Sequence, residues 1–247
     1  MRTAIQLYTL RSLDEPLTAT LERVAETSIE GVEFAGLGDG TPSELSETTS
    51  DCGLDVVGAH VSLSDLETEY DRTVARYEEL GCPRIVVPSY RSEAFETEWG
   101  TEEAADRLST VAARLESDGF DPHYHTHHYE FTDLGGETAF DRLAREADGL
   151  SFEVDTGLTR HAGHDPAAVI ERYGERISLV HLTDTDPGST ESRHADLGEG
   201  IVDLGACVAA ARRVGAAWLV CEHGGSTDPA GTLARFDAEL DRLLGRP

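Results

Sequence analysis

The chain has 247 residues, with 48 acidic side chains against 20 basic ones and a net charge of −28; every base is arginine. Acidity spread along the whole chain lacks the basic footprint that nucleic acid needs, and reads as a surface adapted to molar salt, where self-repulsion is screened. No apolar run is long enough for a membrane span, and the first ten residues lack a signal peptide's apolar core, so the expected location is cytoplasmic. Cys52, Cys82, Cys207 and Cys221 form no CxxC pair and are expected to be free thiols.

In chain order, apolar strand-like runs fall at 3–9, 31–35, 54–61, 84–88, 121–127, 151–156, 177–183 and 217–222. Helical patterns lie between and after them, at 16–28, 41–52, 65–80, 101–118, 137–148, 165–173, 203–214 and 228–244. Pro16 sits in a first turn, where a missing N–H costs little. Asp65 reads as the cap of the 65–80 helix and Gly81 as its stop. The 41–52 segment, rich in Ser and Thr, has the weakest helical pattern. Strand and helix alternating eight times predict an α/β fold: a (β/α)8 TIM barrel, one domain over 1–247. An open doubly wound sheet usually carries a glycine-rich turn after its first strand; the turn here, TLRSLDEP, has no glycine.

A parallel barrel places its site at the C-terminal ends of the strands. Those ends carry Gln6 and Tyr8, Glu33, His60, Asp155, His181 followed by Asp184, and Glu222 with His223. The fifth strand runs into HYHTHHYEF (123–131), which crowds in four of the chain's ten histidines. Alternation puts His123, His125 and His127 on one face, with Tyr124 and Thr126 on the other. Carboxylates and imidazoles converging from adjacent strands offer the mixed ligands that a hard or borderline divalent cation takes.

The runs FEVDTGLTRHAGHDP (152–166), RISLVHLTDT (176–185), LGEGIVDL (197–204) and LVCEHG (219–224) resemble the sugar phosphate isomerase/epimerase family, the xylose isomerase-like group of TIM barrels. The resemblance implies one divalent metal (manganese, cobalt, magnesium or zinc) held by His125, Asp155, His181 and Glu222. The family's strand-five ligand is commonly a glutamate. Here His125 stands there, in an HxHxxE pattern similar to the inosose-dehydratase-like branch, and Glu130 is the alternative strand-five ligand. The implied activity is isomerisation or epimerisation of a sugar, sugar phosphate or cyclitol, by proton abstraction next to a metal-polarised carbonyl. Glu222, His127 and Glu130 are the candidate bases. His60, Glu33, Tyr8 and Arg193 are the candidate substrate contacts, Arg193 as a clamp for phosphate or carboxylate. Leu158 and Thr183 stand where the family often has histidine and lysine. Two alternatives stay open: an inosose or keto-sugar dehydratase, and a non-catalytic sugar-binding barrel. Neither nucleic acid nor membrane is an expected partner; a homo-oligomer is allowed.

Overall fold

The computed structural model describes residues 1–186, 188 and 194–246. Eight parallel strands close a barrel in sequence order. They are β1 (Arg2–Gln6), β2 (Gly31–Phe34), β3 (Asp55–His60), β4 (Arg84–Val87), β5 (Asp121–His125), β6 (Ser151–Asp155), β7 (Ile177–Leu182) and β8 (Trp218–Cys221). β8 returns to β1 with Ala4 beside Val220, so the sheet has no free edge. Helices follow the strands and cover the outside. The main core lies between strands and helices, around Phe34, Phe95, Phe140, Phe152 and Phe236.

Inside the barrel the filling changes with height. Its lower part is apolar: Ala4, Val57, Val86, Leu179, Trp218 and Val220 pack together. Toward the C-terminal ends the inward residues become Gln6, Glu33, His125, Glu153, Asp155 and His181, all buried. Ionisable groups are costly to bury and persist only when paired or hydrogen-bonded. That cost is concentrated at one end of the barrel.

Local structure departs from the sequence expectations in three places and agrees with them at the weakest of the expected helices. β1 stops at Gln6, because the Gln6 side chain accepts a hydrogen bond from Tyr8 N at 3.1 Å and turns Leu7–Leu10 into a 3-10 helix. The 65–80 segment is two helices, Leu63–Thr68 and Tyr70–Leu80, parted at Glu69 (φ −130°). The first is capped by Ser62, which accepts from Asp65 N, rather than by Asp65 itself. The Ser/Thr-rich segment does form a helix, Pro42–Asp51, with Thr41 as its cap and proline in its first turn. A helix with no counterpart in the sequence reading, Thr156–His161, starts directly from β6, with Asp155 as its cap.

No helix among the described residues is long and apolar enough to cross a membrane. The surface carries ion-pair clusters, such as Arg142 with Glu98, Glu102 and Glu137 at 2.7–2.9 Å. With 48 acids and 20 bases, most carboxylates can have no arginine of their own. Screening should therefore stabilise the fold: Tm is expected to rise by roughly 10 °C between about 0.1 M and 1 M KCl, as the Debye length falls from about 10 Å to 3 Å. A flat or falling Tm in a thermal melt series would contradict a salt-adapted surface.

Candidate metal and active site

A cavity of about 750 Å³ opens at the C-terminal end of the barrel. Tyr8, His60, His127, Leu158, His194 and Glu222 are among its walls. The volume exceeds what one small sugar fills and falls within the range of small-molecule sites.

Beneath and beside it, ligand-type atoms of His125, Asp155, His181 and Glu222 lie within 4.8 Å of one another. β6 and β7 bring two of them together, Asp155 being in register with His181. β5 supplies His125, and Glu222 follows β8 directly. Asp155 has a divided role. Its Oδ1 accepts from Leu158 N at 2.7 Å and from Thr183 Oγ1 at 2.6 Å. Its Oδ2 is buried without a hydrogen-bond partner and lies 3.6 Å from His194 Nε2. A buried carboxylate oxygen without a donor is costly, and a cation would satisfy it. The donor set, two imidazoles and two carboxylates, suits zinc, manganese or cobalt. The residues therefore fit a divalent cation.

His181 is central. Its Nδ1 is 3.2 Å from Glu222 Oε2 and its Nε2 is 2.8 Å from Glu33 Oε2. Burial disfavours the charged ring, but the Glu153 charge and the hydrogen bonds to Glu153, Glu222 and Glu33 outweigh it and raise its pKa well above the usual value. A cation bound through Nδ1 would take the place of a proton there. For Glu222, burial opposes ionisation, yet the hydrogen bond and charge of His181 win and hold its carboxyl below the usual range. For His60, burial is likewise outweighed, by the Glu33 charge and hydrogen bonds to Glu153 and Glu33, and its pKa rises to about 10.

The remaining sequence candidates divide. Tyr8 lines the cavity, 44% exposed, from the 3-10 turn rather than from strand one. The Arg11 guanidinium stacks over its ring at 3.7 Å. His60 lines the cavity while its Nε2 is held by Glu153 at 2.9 Å. His127 lines it too, and its Nδ1 has no hydrogen-bond partner. Burial, then the His125 charge, pushes the His127 pKa down to about 2.

Two candidates are displaced. Glu33 is fully buried, where Gln6, His60 and His181 hold its carboxylate, and it is not among the residues that line the cavity. Glu130 is on the outer side of the barrel wall. Its carboxylate accepts from Tyr124 OH at 2.5 Å and His127 N at 2.9 Å, and it is neither among the cavity's lining residues nor in the cluster of His125, Asp155, His181 and Glu222. Tyr124 points outward because alternation puts it opposite His125, and Glu130 goes with it. Arg193 lies outside the described residues.

Sequence reasoning passed over Glu153 and His194. Glu153 had a signal: it stands two residues before Asp155 in a strand and must share its face. His194 had none, since it arrives on the loop after β7, where its Nδ1 accepts from Gly224 N at 2.9 Å. His123 is a packing residue, its Nε2 2.6 Å from Ser178 Oγ in the lower barrel. Asp184 is also structural: it accepts from Gly198, Gly200 and Val202 N at 3.0–3.1 Å and ties down the loop after β7.

A profile of the xylose isomerase-like TIM barrel family matches residues 21–243. The chain belongs to this family. Among solved structures, it is similar to a sugar phosphate isomerase/epimerase from Parabacteroides distasonis, with a TM-score of 0.82 and 18% identity over 100% of this chain and 98% of the other. It is also similar to the IOLI protein, determined with a bound zinc atom, with a TM-score of 0.77 and 13% identity over 100% and 99%. At these identities the likeness is one of fold. A probable endonuclease 4 of Mycobacterium tuberculosis is 37% identical over 102 residues, which cover 36% of this chain and 40% of that protein. The match thus spans less than half of that relative's length. Within the xylose isomerase-like family, then, this chain pairs a shared barrel with a strand-five histidine and a buried Glu153.

Proposed function

We propose that the protein is a divalent-metal-dependent isomerase or epimerase of a small sugar, sugar phosphate or cyclitol. The observation that carries this reading is the convergence of His125, Asp155, His181 and Glu222 beside a polar cavity, with one Asp155 oxygen unsatisfied. A divalent cation bound there would supply Lewis-acid polarisation of a carbonyl and its neighbouring hydroxyl. The chain's own residues would do the rest. Glu222 is ionised at neutral pH and partly exposed to the cavity, so it can take a proton from the carbon beside the carbonyl. His127 meets substrate as a neutral imidazole, better suited to hydrogen-bonding a hydroxyl than to acting as a strong base. Tyr8 and Leu158 would cover the apolar face of a sugar ring.

The probable endonuclease 4 relatives suggest a nucleic-acid substrate, but a chain of net charge −28 repels a polyanion. A small neutral or singly anionic substrate fits better.

The test is metal content by mass spectrometry, followed by incubation of ketoses and inososes in D2O with NMR detection. One divalent ion per chain, with deuterium entering next to the carbonyl of a rearranged product, is the expected result. Loss of water from the product would instead identify a dehydratase. Sugar binding without metal, even after refilling with manganese, cobalt or zinc, would point to a non-catalytic barrel.

A further inference from the structure

We propose that Glu153 is the positioning residue that fixes the tautomer and ring orientation of His125 and His181; this rests on the metal-dependent reading above. Glu153 Oε2 lies 3.0 Å from His125 Nδ1, 2.9 Å from His60 Nε2 and 3.1 Å from His181 Nε2. An ionised carboxylate only accepts hydrogen bonds, so each facing nitrogen must carry the proton. In His125 that leaves Nε2 as the nitrogen able to bind a cation. In His181 it leaves Nδ1, the atom beside Glu222. One oxygen thereby sets both rings, and Glu33 Oε2, held by Gln6 Nε2 at 2.8 Å, adds a second acceptor for His181.

The alternative is that Glu153 merely fills space in an ion-pair network. A buried charged network is a poor filler, because apolar side chains of similar volume are often as stable or more so. Among the described residues each side-chain hydrogen bond of the Glu153 carboxylate is made by Oε2 to an imidazole, and Oε1 is buried without a partner. The backbone is adapted to it as well: the β6–β7 register shifts between Phe152 and Glu153, an irregularity that re-aims a side chain. The β2–β3 register shifts in the same way between Val32 and Glu33. Both buried glutamates thus follow a register shift. A carboxylate behind a ligating imidazole also raises its basicity as a ligand.

The test compares wild type, Glu153→Gln and Glu153→Asp. Zinc affinity is measured by competition with a chromophoric chelator, and the visible spectrum of the cobalt(II)-loaded protein reports coordination geometry. Glu153→Gln should bind zinc about 10–100-fold more weakly at unchanged stoichiometry, with an altered cobalt spectrum. Glu153→Asp should recover part of the loss. Wild-type affinity and spectrum in Glu153→Gln would overturn the proposal and leave the metal site standing. Loss of all zinc from both variants would make Glu153 a ligand and also overturn it. A wild type that binds neither metal would overturn the site and the proposal together. If Glu153→Gln does not fold, nitrogen–proton NMR of the zinc-loaded wild type decides. It should find the proton on Nδ1 of His125 and on Nε2 of His181; the opposite tautomer in either ring would sink the idea.

Discussion

Asp155→Asn is expected to abolish metal binding and lower turnover by at least ~10³-fold while leaving the fold nearly as stable as wild type. The two oxygens of Asp155 do different work. Oδ1 caps the helix Thr156–His161 through Leu158 N and receives the Thr183 hydroxyl. An asparagine carbonyl can keep both bonds. The amide nitrogen would then occupy the place of Oδ2, where it can donate but not ligate. Asp155→Ala removes both functions and should cost a further ~1 kcal/mol of stability through the lost cap. The pair of variants separates the roles. Metal content and turnover should fall alike in both, whereas urea unfolding should shift mainly in the alanine. If Asp155→Asn keeps its metal and its turnover, the residue is only a cap and the cation must be sought elsewhere.

The barrel was legible because each strand of a closed parallel sheet is covered on its outer face and filled on its inner one. Runs such as RIVV and WLVC announce themselves. The convergence of Asp155, His181 and Glu222 was legible because a charged group that ends an apolar strand has to be placed at the mouth; their role as ligands is the proposal. What stayed hidden has a physical reason in each case. The depth of Glu33 depends on a register irregularity beside it, which two-residue alternation does not foresee. Tyr8 leaves the strand because of a side-chain bond from Gln6, a tertiary detail. The helix Thr156–His161 is only six residues long and shares its cap with the proposed metal site. It also needs glycine at 157, since a Cβ there would sit 2.7 Å from Thr183 Oγ1 and 2.9 Å from Asp184 O. Glu130 is the opposite case: its sequence neighbourhood of histidines suggested the cavity, but proximity along the chain put it on the other side of the wall.

That placement gives Glu130 a thermodynamic signature rather than a chemical one. Its carboxyl is fully buried, and burial pushes its pKa from 4.5 up to about 7, even though hydrogen bonds from Tyr124 and from the backbone of Glu130 and His127 pull the other way. Folding therefore takes up a proton at this site between those two values. The sign follows by linkage: the Glu130 contribution is fully present below pH 4.5 and is lost as pH rises through about 7. The ceiling on that loss is about 3 kcal/mol. Glu130→Gln removes the titration and can keep both hydrogen bonds. Its carbonyl would accept from His127 N, and its amide would donate to the Tyr124 hydroxyl, which takes one backbone hydrogen bond from Tyr90 and keeps a second lone pair. Other groups titrate in the same range, so the quantity to measure is the difference in unfolding free energy between wild type and variant, from urea titrations at several pH values. The two proteins should be nearly equal at low pH, and the variant should become progressively the more stable of the two between about pH 4.5 and 7, with the difference levelling off above that. Turnover of any accepted substrate should stay within about tenfold of wild type, the margin left for a small shift of His127. A stability difference that does not change with pH would mean that Glu130 has the same pKa in the folded and unfolded protein, so that burial does not hold its proton. A collapse of turnover at constant stability would return it to the chemistry of the cavity.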